Sequence, residues 1–349
     1  MNLENIRFKV RFLKFYILFG IFGLTVEFIV RYFVLLIFSN DFFATIFGII
    51  CGVLFAYWSN IKFNFQIPSY RLKRALILFT LIAVLSKFLQ SLLSSAIGID
   101  EFGYELQRLL TSSLIFIVFY FINVQFTFAN RTQLGIAIYA NNNEDLENIY
   151  SKVLDSPDFI QVDLVDKTVY ENALEVNISK INSIREQWPE KFIEIHLMTN
   201  DLLAWEIDIQ NILPLVDMII FNKHSYENNL QVINELKSKK PSLETGVYLD
   251  SSTKTEEIKK YTNICDQITI MGIENIGYSG QKFLESTIET IKKIDKFENR
   301  NKFKLEVDGG IDSTNYHKLR VDKLVSASSV CLALSYCIVI VTVAGALLE

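Results

Sequence analysis

The sequence of 349 residues has little charge, little proline and little glycine: 21% of its residues are charged, and it contains 5 prolines and 14 glycines. With half of the residues apolar, this composition excludes a disordered chain, a collagen-like chain and a charged coiled coil. Cysteines are equally few, and they show neither the spacing of a zinc site nor a disulfide framework. We interpret them as apolar thiols buried in a protein of a reducing compartment: Cys51, Cys265, Cys331 and Cys337.

A basic stripe is also missing, and the charge is unevenly divided along the chain. Residues 1–131 carry 12 Lys/Arg and 6 Asp/Glu, a net charge of +6, whereas residues 132–349 carry 22 and 33, a net charge of −11. A large acidic part without clustered basic residues argues against nucleic acid as a partner. The division near residue 131 predicts two parts that meet different surroundings.

Four stretches of the first part are almost free of charge: residues 15–38, 42–61, 75–99 and 109–129. Each is about as long as the ~20 residues that a helix needs to cross the hydrocarbon of a bilayer. A buried helix of a soluble protein would be shorter and would have a polar face. We therefore predict an α-helical membrane bundle of four transmembrane helices over residues 10–131, with a first helix that is not a cleaved signal.

Basic residues flank these stretches on one side of the predicted membrane. They occur before the first stretch, between the second and the third, and after the fourth. The two remaining loops carry Asp41, Asp100, Glu101 and Glu105, with only Arg108 positive. Since basic loops stay in the cytoplasm, we expect a multi-pass protein of the cell membrane whose acidic part faces the cytoplasm.

The pattern Tyr-x-x-Asn-x-x-Phe-x-Phe occurs twice, at residues 57–65 and 120–128, where it closes the second and fourth stretches. This internal repeat indicates two copies of one helical hairpin that end on the same side of the membrane. The aromatic residues are typical of a membrane interface. An amide at that depth needs a partner, so Asn60 and Asn123 either line a shared polar site or lock helices together.

This layout resembles the GtrA-like family of four-helix membrane proteins, in which an Asn and aromatic residues mark the cytoplasmic ends of the second and fourth helices. The resemblance implies a role in moving or presenting polyprenyl-phosphate-linked sugars for surface polysaccharides, with a membrane glycosyltransferase as a candidate partner. Within the first stretch, Glu27 and Arg31 are four residues apart and can pair on one helix face.

Ionisable residues inside a predicted membrane helix are functional candidates. For a lipid phosphate, the cations that we expect are Arg31 and Lys87. The alternatives are an ion pair that only fixes helix packing and a lysine that extends to the interface.

From residue 135 onward, short β-rich runs alternate with amphipathic runs of helical spacing. We predict strands at residues 135–139, 159–165, 192–197, 218–221, 246–249, 267–271, 303–307 and 323–325. Eight strands alternating with helices predict an α/β fold, a (β/α)₈ TIM barrel over residues 132–330. A doubly wound sheet is the alternative, but no Gly-x-Gly-x-x-Gly follows the first strand.

Polar residues stand near the ends of three predicted strands, where the active sites of such barrels gather. Asp163 lies near the end of the second strand, His196 near the end of the third, and Asp308 directly after the seventh. Two carboxylates and an imidazole at three strand ends can converge on one point. The alternatives are a solvated strand end, a core histidine and a turn carboxylate. A glycine-rich turn that opens a helix after the sixth strand, with Gly277 and Gly280, can bind an anion.

These segments resemble the ribulose-phosphate 3-epimerase family, above all Val-Asp-Gly-Gly-Ile at residues 307–311 and Gly-x-x-Gly-Gln-x-Phe at residues 277–283. The resemblance implies two catalytic aspartates, Asp163 and Asp308, that exchange a proton at C3 of a pentulose phosphate from opposite faces. It also implies a divalent ion, Zn, Fe or Mn, bound by Gln161, Asp163, His196 and Asp308. The sugar phosphate would contact Met198, Gly277, Gly280, Gln281, Gly309, Gly310 and Ser328. A homo-oligomer is a further expectation.

Several positions depart from the family pattern. The first metal-ligand His of the family is Gln161 here, and a neutral amide oxygen is a poorer zinc ligand than an imidazole. A second family His falls on Asn222, with His224 nearby. Other changes occur at Ala137, Asp250, Ser251, Ile276 and Ala327. A barrel that only binds the sugar phosphate is therefore the alternative to a working epimerase.

The tail, residues 331–349, is uncharged up to the final Glu349 and rich in Val and Ile. It is either a fifth transmembrane helix or a buried final helix. For the whole chain we predict a membrane protein that couples delivery of a lipid-linked sugar to a cytosolic epimerase-like barrel. The alternatives are an epimerase anchored by its helices and a transporter with an inactive phosphosugar-binding barrel.

Overall fold

The computed structural model describes residues 12–98, 102–277, 280–312 and 314–327. The chain divides into two compact units between Arg131 and Thr132. The predicted fifth helix at residues 331–349 lies outside the described residues, as does Ser328.

The described residues of the first unit form four long helices: α1 (Leu13–Phe38), α2 (Asp41–Ser59), α3 (Leu72–Ala96) and α4 (Tyr104–Ile122). With the short 3₁₀ or π-helical turns that extend them, they run for 24 to 28 residues at mean hydropathies of 1.9 to 2.1. A bilayer needs about 20 such residues. All four helices are therefore long and apolar enough to cross a membrane, as the sequence predicts.

Helix α4 begins before the charge-free stretch, so Arg108 lies inside this helix and not in a loop. The guanidinium is matched by Glu27 of α1 in two parallel hydrogen bonds, Nε to Oε1 at 2.9 Å and Nη2 to Oε2 at 3.0 Å. Bidentate pairs of this kind are strong and directional. The pair explains how an arginine can be part of a helix with so few charges.

The repeated sequence pattern produces a repeated structure. Helices α2 and α4 continue into π-helical turns at Asn60–Asn64 and Asn123–Thr127. In both turns the Asn oxygen accepts a hydrogen bond from the side chain four residues later, at 3.0 and 2.9 Å. Phe65 and Phe128, which end the two copies, stack with centroids 4.1 Å apart and planes inclined by 4°. The two hairpins are thus related in structure as well as in sequence.

Glycines allow α1 and α2 to approach closely. A Cβ on Gly48 would lie 2.6 Å from the carbonyl oxygen of Glu27, and one on Gly52 would lie 2.6 Å from that of Gly23. Gly48 and Gly52 form the Gly-x-x-x-Gly spacing that places small residues on one helix face. Close backbone contact at these glycines therefore helps to join the two helices.

The second unit is a closed barrel of eight parallel strands in sequential order. The strands are β1 (Gln133–Tyr139), β2 (Phe159–Val165), β3 (Phe192–Met198), β4 (Met218–Asn222), β5 (Glu244–Asp250), β6 (Gln267–Met271), β7 (Lys304–Asp308) and β8 (Lys323–Ala327). Their bounds differ from the predicted ones by at most two residues. The predicted TIM barrel is confirmed, and the doubly wound alternative is excluded.

Side chains alternate between the two faces of each strand. In β2, Ile160, Val162 and Leu164 belong to the apolar layer under the helices, while Gln161 and Asp163 belong to the interior. The helices are α5 (Leu146–Val153), α6 (Lys180–Gln187), α7 (Glu206–Ile212), α8 (Lys223–Asn228), α9 (Leu230–Lys239), α10 (Thr255–Tyr261) and α11 (Ser286–Ile294).

A buried ion cluster lies in the barrel interior. Its acids, Glu194 and Glu306, stand two residues before His196 and Asp308 on the same strands. Lys323 of β8 contacts Glu194 of β3, lies 3.1 Å from Glu306 of β7 and donates to Gln267 over 2.9 Å. Burial alone would lower the pKa of Lys323, but the charges of Glu194 and Glu306 outweigh it and raise that pKa. Burial and Glu306 raise the pKa of Glu194. The sequence patterns do not predict this cluster.

Replacing Gly52 by Leu should separate α1 from α2, because the new side chain meets the backbone of Gly23. We expect a loss of about 1–3 kcal/mol, the usual cost of overpacking, measured by thermal unfolding of the full chain in detergent. Ile50→Leu is the matched control, since Ile50 is 49% exposed on the same helix. Equal melting temperatures for the two variants would contradict the close packing.

Replacing Lys323 by Met should leave two buried carboxyl groups without their cation. Breaking a buried ion pair costs about 3–5 kcal/mol, so the urea midpoint of the full chain in detergent should fall clearly. The exposed Lys302→Met serves as control. A triple variant that adds Glu194→Gln and Glu306→Gln should regain most of the loss. If Lys323→Met behaves like the control, the cluster contributes nothing to stability.

Candidate functional site

The closed barrel brings together three side chains, two from the paired strands β2 and β3 and one from the distant strand β7. Asp163 of β2, His196 of β3 and Asp308 of β7 all point into the interior near the carboxyl ends of their strands. Nδ1 of His196 lies 3.0 Å from Oδ2 of Asp308 and 3.6 Å from Oδ1 of Asp163. The imidazole is fully buried, and the two carboxyl groups are nearly so. One histidine therefore stands between two carboxyl groups in a site with little water.

Gln161, two residues before Asp163, completes this cluster. Its amide nitrogen Nε2 lies 2.9 Å from Oδ2 of Asp308 and 3.2 Å from Oδ1 of Asp163. The amide thus bridges the two carboxyl groups, which would otherwise repel each other. The sequence places Gln161 among the ligands of a metal ion but does not reveal this bridge.

The burial of the cluster changes its proton affinities. Burial and the charge of Asp308 raise the pKa of Asp163, and hydrogen bonds from His196 and Gln161 oppose this only in part. Burial would lower the pKa of His196, but hydrogen bonds and charges of the two aspartates raise it to about 10. The two aspartates therefore favour the protonated form of the imidazole, against the effect of its burial.

The cluster also fits a divalent ion. Ligand atoms of Asp163, His196 and Asp308 all lie within 4.8 Å of one another and are buried. Two carboxylates and an imidazole are common ligands of Zn²⁺, Fe²⁺ and Mn²⁺. Two further buried atoms, Oε1 of Gln161 and Nε2 of His196, have no hydrogen-bond partner among the residues that the structure describes. Spare polar atoms of this kind are expected where an additional group binds.

A cavity of about 210 Å³ opens beside Asp163 and is lined by Tyr139, Glu144, Tyr170 and Gly277, among others. The hydroxyl of Tyr139 donates to the carbonyl of Gly277 over 3.4 Å. Burial and the charge of Asp163 raise the pKa of Tyr139, so its hydroxyl stays protonated. The cavity connects the cluster with a glycine turn, and its tyrosines are not among the residues predicted from the sequence.

Two glycine-rich turns follow β6 and β7 and touch each other. The N–H of Gly272 donates to the carbonyl of Asp308 over 2.6 Å, and a Cβ on Gly310 would lie 2.8 Å from the backbone of Phe283. Turns of this conformation present backbone N–H groups suited to an anion. The predicted phosphate-binding glycines all have φ between +71° and +106°: Gly277, Gly280, Gly309 and Gly310.

The remaining predicted phosphate contacts have other surroundings. Gln281 accepts from the N–H of Asn275 over 2.9 Å and donates back to its carbonyl, so its amide closes the turn on itself. The prediction that this turn opens a helix is wrong, because α11 begins only at Ser286. Met198 is buried at the end of β3 in a small apolar cluster of the interior.

Tyr248 of β5 is a further site residue, and the sequence patterns do not single it out. Its ring meets His196 edge-on, with centroids 4.7 Å apart, and its hydroxyl accepts a hydrogen bond from Asn222 over 3.1 Å. Asn222, which stands where the family has a histidine, thus acts on the imidazole only through a tyrosine. An alternating apolar strand gives no local signal for such a contact.

In the first unit, the predicted pair of Glu27 and Arg31 is wrong. Arg31 binds two carboxylates at the ends of other helices, Asp41 at 2.5 Å and Glu105 at 2.6 Å. Its long side chain reaches these partners, while Glu27 is taken by Arg108. Arg31 is therefore matched by two acids, which makes it a weaker candidate for a lipid phosphate.

Lys87 and Arg108 share the single carboxylate of Glu27, at 3.9 and 2.9 Å. Both line a polar cavity of about 200 Å³, together with Gln90 and Tyr104. Lys87 and Arg108 are thus two cations that face the one acid Glu27, whereas Arg31, 4.4 Å from the ring centroid of Tyr104, faces two acids. As the second candidate cation for a lipid phosphate, Arg108 is therefore better placed than Arg31.

A larger, mostly apolar cavity of about 480 Å³ shares Arg108 with the polar one and is also lined by Asn123. Asn123 donates to the hydroxyl of Tyr16 over 2.9 Å. Both asparagines also donate to the carbonyl four residues earlier in their own helices, Asn60 to Ala56 over 2.9 Å and Asn123 to Phe119 over 3.0 Å. Asn123 is distinguished by its bond to Tyr16 and by its place in the lining of this cavity.

Comparison with known proteins agrees with the barrel. Residues 133–331, more than half of the chain and all eight strands, match the model of the Ribulose-phosphate 3 epimerase family. Fold and site together define a TIM barrel whose interior holds a buried Asp-His-Asp cluster that fits a metal ion. The chain belongs to the ribulose-phosphate 3-epimerase family.

Two curated relatives illustrate the similarity. The ribulose-phosphate 3-epimerase of Aquifex aeolicus is 30% identical over 102 residues, 29% of this chain and 43% of that protein. The ribulose-phosphate 3-epimerase of Helicobacter pylori is 26% identical over 182 residues, 49% of this chain and 78% of that protein. The chain thus spans less than half of the length of the Aquifex relative.

Among solved structures, KGPDC from Streptococcus mutans is similar with a TM-score of 0.44 at 14% identity, over 58% of this chain and 96% of that chain. Tryptophan synthase from Mycobacterium tuberculosis gives 0.41 at 11% identity, over 59% and 86%.

Proposed function

We propose that the barrel binds a ketose phosphate and epimerises it at C3, as the resemblance of its motifs suggests. The observation that carries this proposal is that Asp163 and Asp308, from β2 and β7, both lie within 3.6 Å of Nδ1 of His196. The glycine turns beside Asp308 are suited to the phosphate. The family to which the chain belongs supports the same substrate class.

In this proposal one aspartate removes the proton from C3. The C–H electron pair then forms a double bond between C2 and C3, and the C2 carbonyl becomes an oxyanion. The other aspartate donates a proton to the opposite face of C3, which inverts that carbon. The raised pKa of Asp163 suits a carboxyl group that holds the proton to be donated. A divalent ion held by Asp163, His196 and Asp308 would stabilise the oxyanion charge.

The test is deuterium exchange by the full chain in detergent, with ribulose 5-phosphate and Mn²⁺ in heavy water. We expect deuterium at C3 together with xylulose 5-phosphate. Asp163→Asn or Asp308→Asn should lower the rate about 10²–10⁴-fold, since general acid–base groups contribute that much. Asp201→Asn, which alters an exposed carboxylate after β3, is the control. Binding of ribulose 5-phosphate without exchange would instead support an inactive phosphosugar-binding barrel.

For the membrane unit we propose binding of a polyprenyl-phosphate-linked sugar, in line with the GtrA-like layout. Support comes from a polar cavity bordered by Lys87 and Arg108 that shares Arg108 with a larger apolar cavity. A phosphate would meet Lys87 and Arg108, and an isoprenoid chain would lie along the apolar wall. Asn123 is among the residues that line the larger cavity.

Binding of farnesyl phosphate to the full chain in nanodiscs tests this proposal. Lys87→Gln should weaken binding more than about tenfold, because a hydrogen bond to a charged group contributes roughly 1.5–3 kcal/mol. Lys62→Gln, at an exposed lysine that stacks on Trp58, is the matched control. If farnesol binds as tightly as farnesyl phosphate, the cavity recognises only the chain and the proposal fails.

The remaining parts of the functional prediction are proposals of the same kind. They are the coupling of domains 10–131 and 132–330, a barrel on the cytoplasmic face of the cell membrane, a membrane glycosyltransferase as partner and a homo-oligomer. The anchored epimerase and the transporter with an inactive barrel are the alternatives, and the two experiments above separate them.

A further inference from the structure

Only one end of the buried Gln161 amide is satisfied. Its nitrogen donates to Asp308 over 2.9 Å and to Asp163 over 3.2 Å. Its carbonyl oxygen is buried and has no hydrogen-bond partner among the residues that the structure describes. Leaving a buried acceptor unpaired costs free energy. The observed orientation therefore satisfies the carboxyl groups at the expense of the amide oxygen.

The polar atoms around the amide are spaced like ligands of one small cation. Nε2 of Gln161 lies 3.3 Å from Nδ1 of His196, which itself lies 3.0 and 3.6 Å from the two carboxyl oxygens. Neighbouring ligands of one ion at about 2.1 Å are about 3.0–3.4 Å apart. A half-turn of the amide exchanges nitrogen and oxygen and brings Oε1 to the position of Nε2.

We propose that Gln161 works as a two-position ligand that sets the ion preference of the barrel. Without a cation, its N–H groups bridge Asp163 and Asp308. With a cation, the turned amide contributes an oxygen, so the donor set is three oxygens and the single imidazole nitrogen of His196. Carboxylate and amide oxygens suit Mn²⁺ and Mg²⁺, whereas imidazole favours Zn²⁺. Gln161 therefore shifts the site from Zn²⁺ toward Mn²⁺.

This inference rests on the metal site of the proposed function but not on the proposed reaction. The test is binding of Mn²⁺ to the full chain in detergent, followed by the electron paramagnetic resonance of free Mn²⁺. Affinity for Zn²⁺ is measured by competition with a chromophoric chelator. Gln161→His should raise the ratio of Zn²⁺ to Mn²⁺ affinity at least about tenfold, because changes around metal sites alter affinity by about 10–100-fold.

Two further variants separate a ligand from an indirect effect. Gln187→His adds a histidine on α6, outside the barrel interior, and should leave the ratio unchanged. Gln161→Leu keeps the volume without a donor and should weaken Mn²⁺ binding about tenfold, with circular dichroism as the check on folding. An unchanged ratio in Gln161→His, or unchanged Mn²⁺ affinity in a folded Gln161→Leu, would overturn the inference.

The outcome is independent of the epimerase assay. If the ratio of Zn²⁺ to Mn²⁺ affinity rises in Gln161→His as expected but no deuterium enters at C3, only the proposed reaction is rejected. Exchange at C3 with the same ratio in wild type and Gln161→His rejects the role of Gln161 alone.

Discussion

Two buried carboxyl groups that lie close together repel each other and lose their hydration, so they require hydrogen bonds and an opposite charge. The residues around Asp163 and Asp308 in the barrel interior provide both. Closure of the eight strands places Asp163 against Asp308, and the imidazole of His196 and the amide of Gln161 lie between them. Such burial is tolerated only when hydrogen bonds and an opposite charge replace the lost water. The raised pKa values of Asp163 and His196 follow from this contact, and so does the close spacing of the atoms that could bind a cation.

Other buried carboxylates of the chain are paired with a lysine or an arginine. Lys323 compensates Glu194 and Glu306 deeper in the barrel, and Arg108 compensates Glu27 in the first unit. In each case the partners come from different strands or helices. These contacts therefore depend on the complete fold, and they join distant segments as well as neutralising charge.

The sequence predicts the architecture well because the underlying signals are local. Charge-free stretches of helix-spanning length and alternating β-rich runs are visible without any knowledge of contacts. The positions of Asp163, His196 and Asp308 follow from one rule about strand ends. Contacts between elements are different. The helix spacing of four residues favours an ion pair between Glu27 and Arg31. In the structure both side chains instead pair with residues of other helices. The contact of Tyr248 with His196 cannot be predicted from the sequence of β5 alone, because it joins two different strands of the closed barrel.

The internal repeat shows how similar local structure can serve different ends. Both copies form a π-helical turn that begins at an asparagine, and Phe65 and Phe128 stack where the copies meet. Both asparagines donate to the carbonyl four residues earlier, yet Asn123 in addition donates to Tyr16 and borders a large cavity. A duplicated sequence therefore does not imply duplicated chemistry, because the surroundings of each copy decide what its polar group contacts.

The bridge made by Gln161 has a consequence for the order of events in the barrel. A phosphorylated sugar is an anion, and the cluster that it approaches holds two carboxyl groups against one imidazole. With the amide in its bridging position, this surface offers such a molecule little attraction near the reacting carbon. Entry of a cation would add positive charge between the two carboxyl groups. The barrel would then load in a fixed sequence, inorganic ion first and sugar second, and would respond to ion supply as much as to sugar supply.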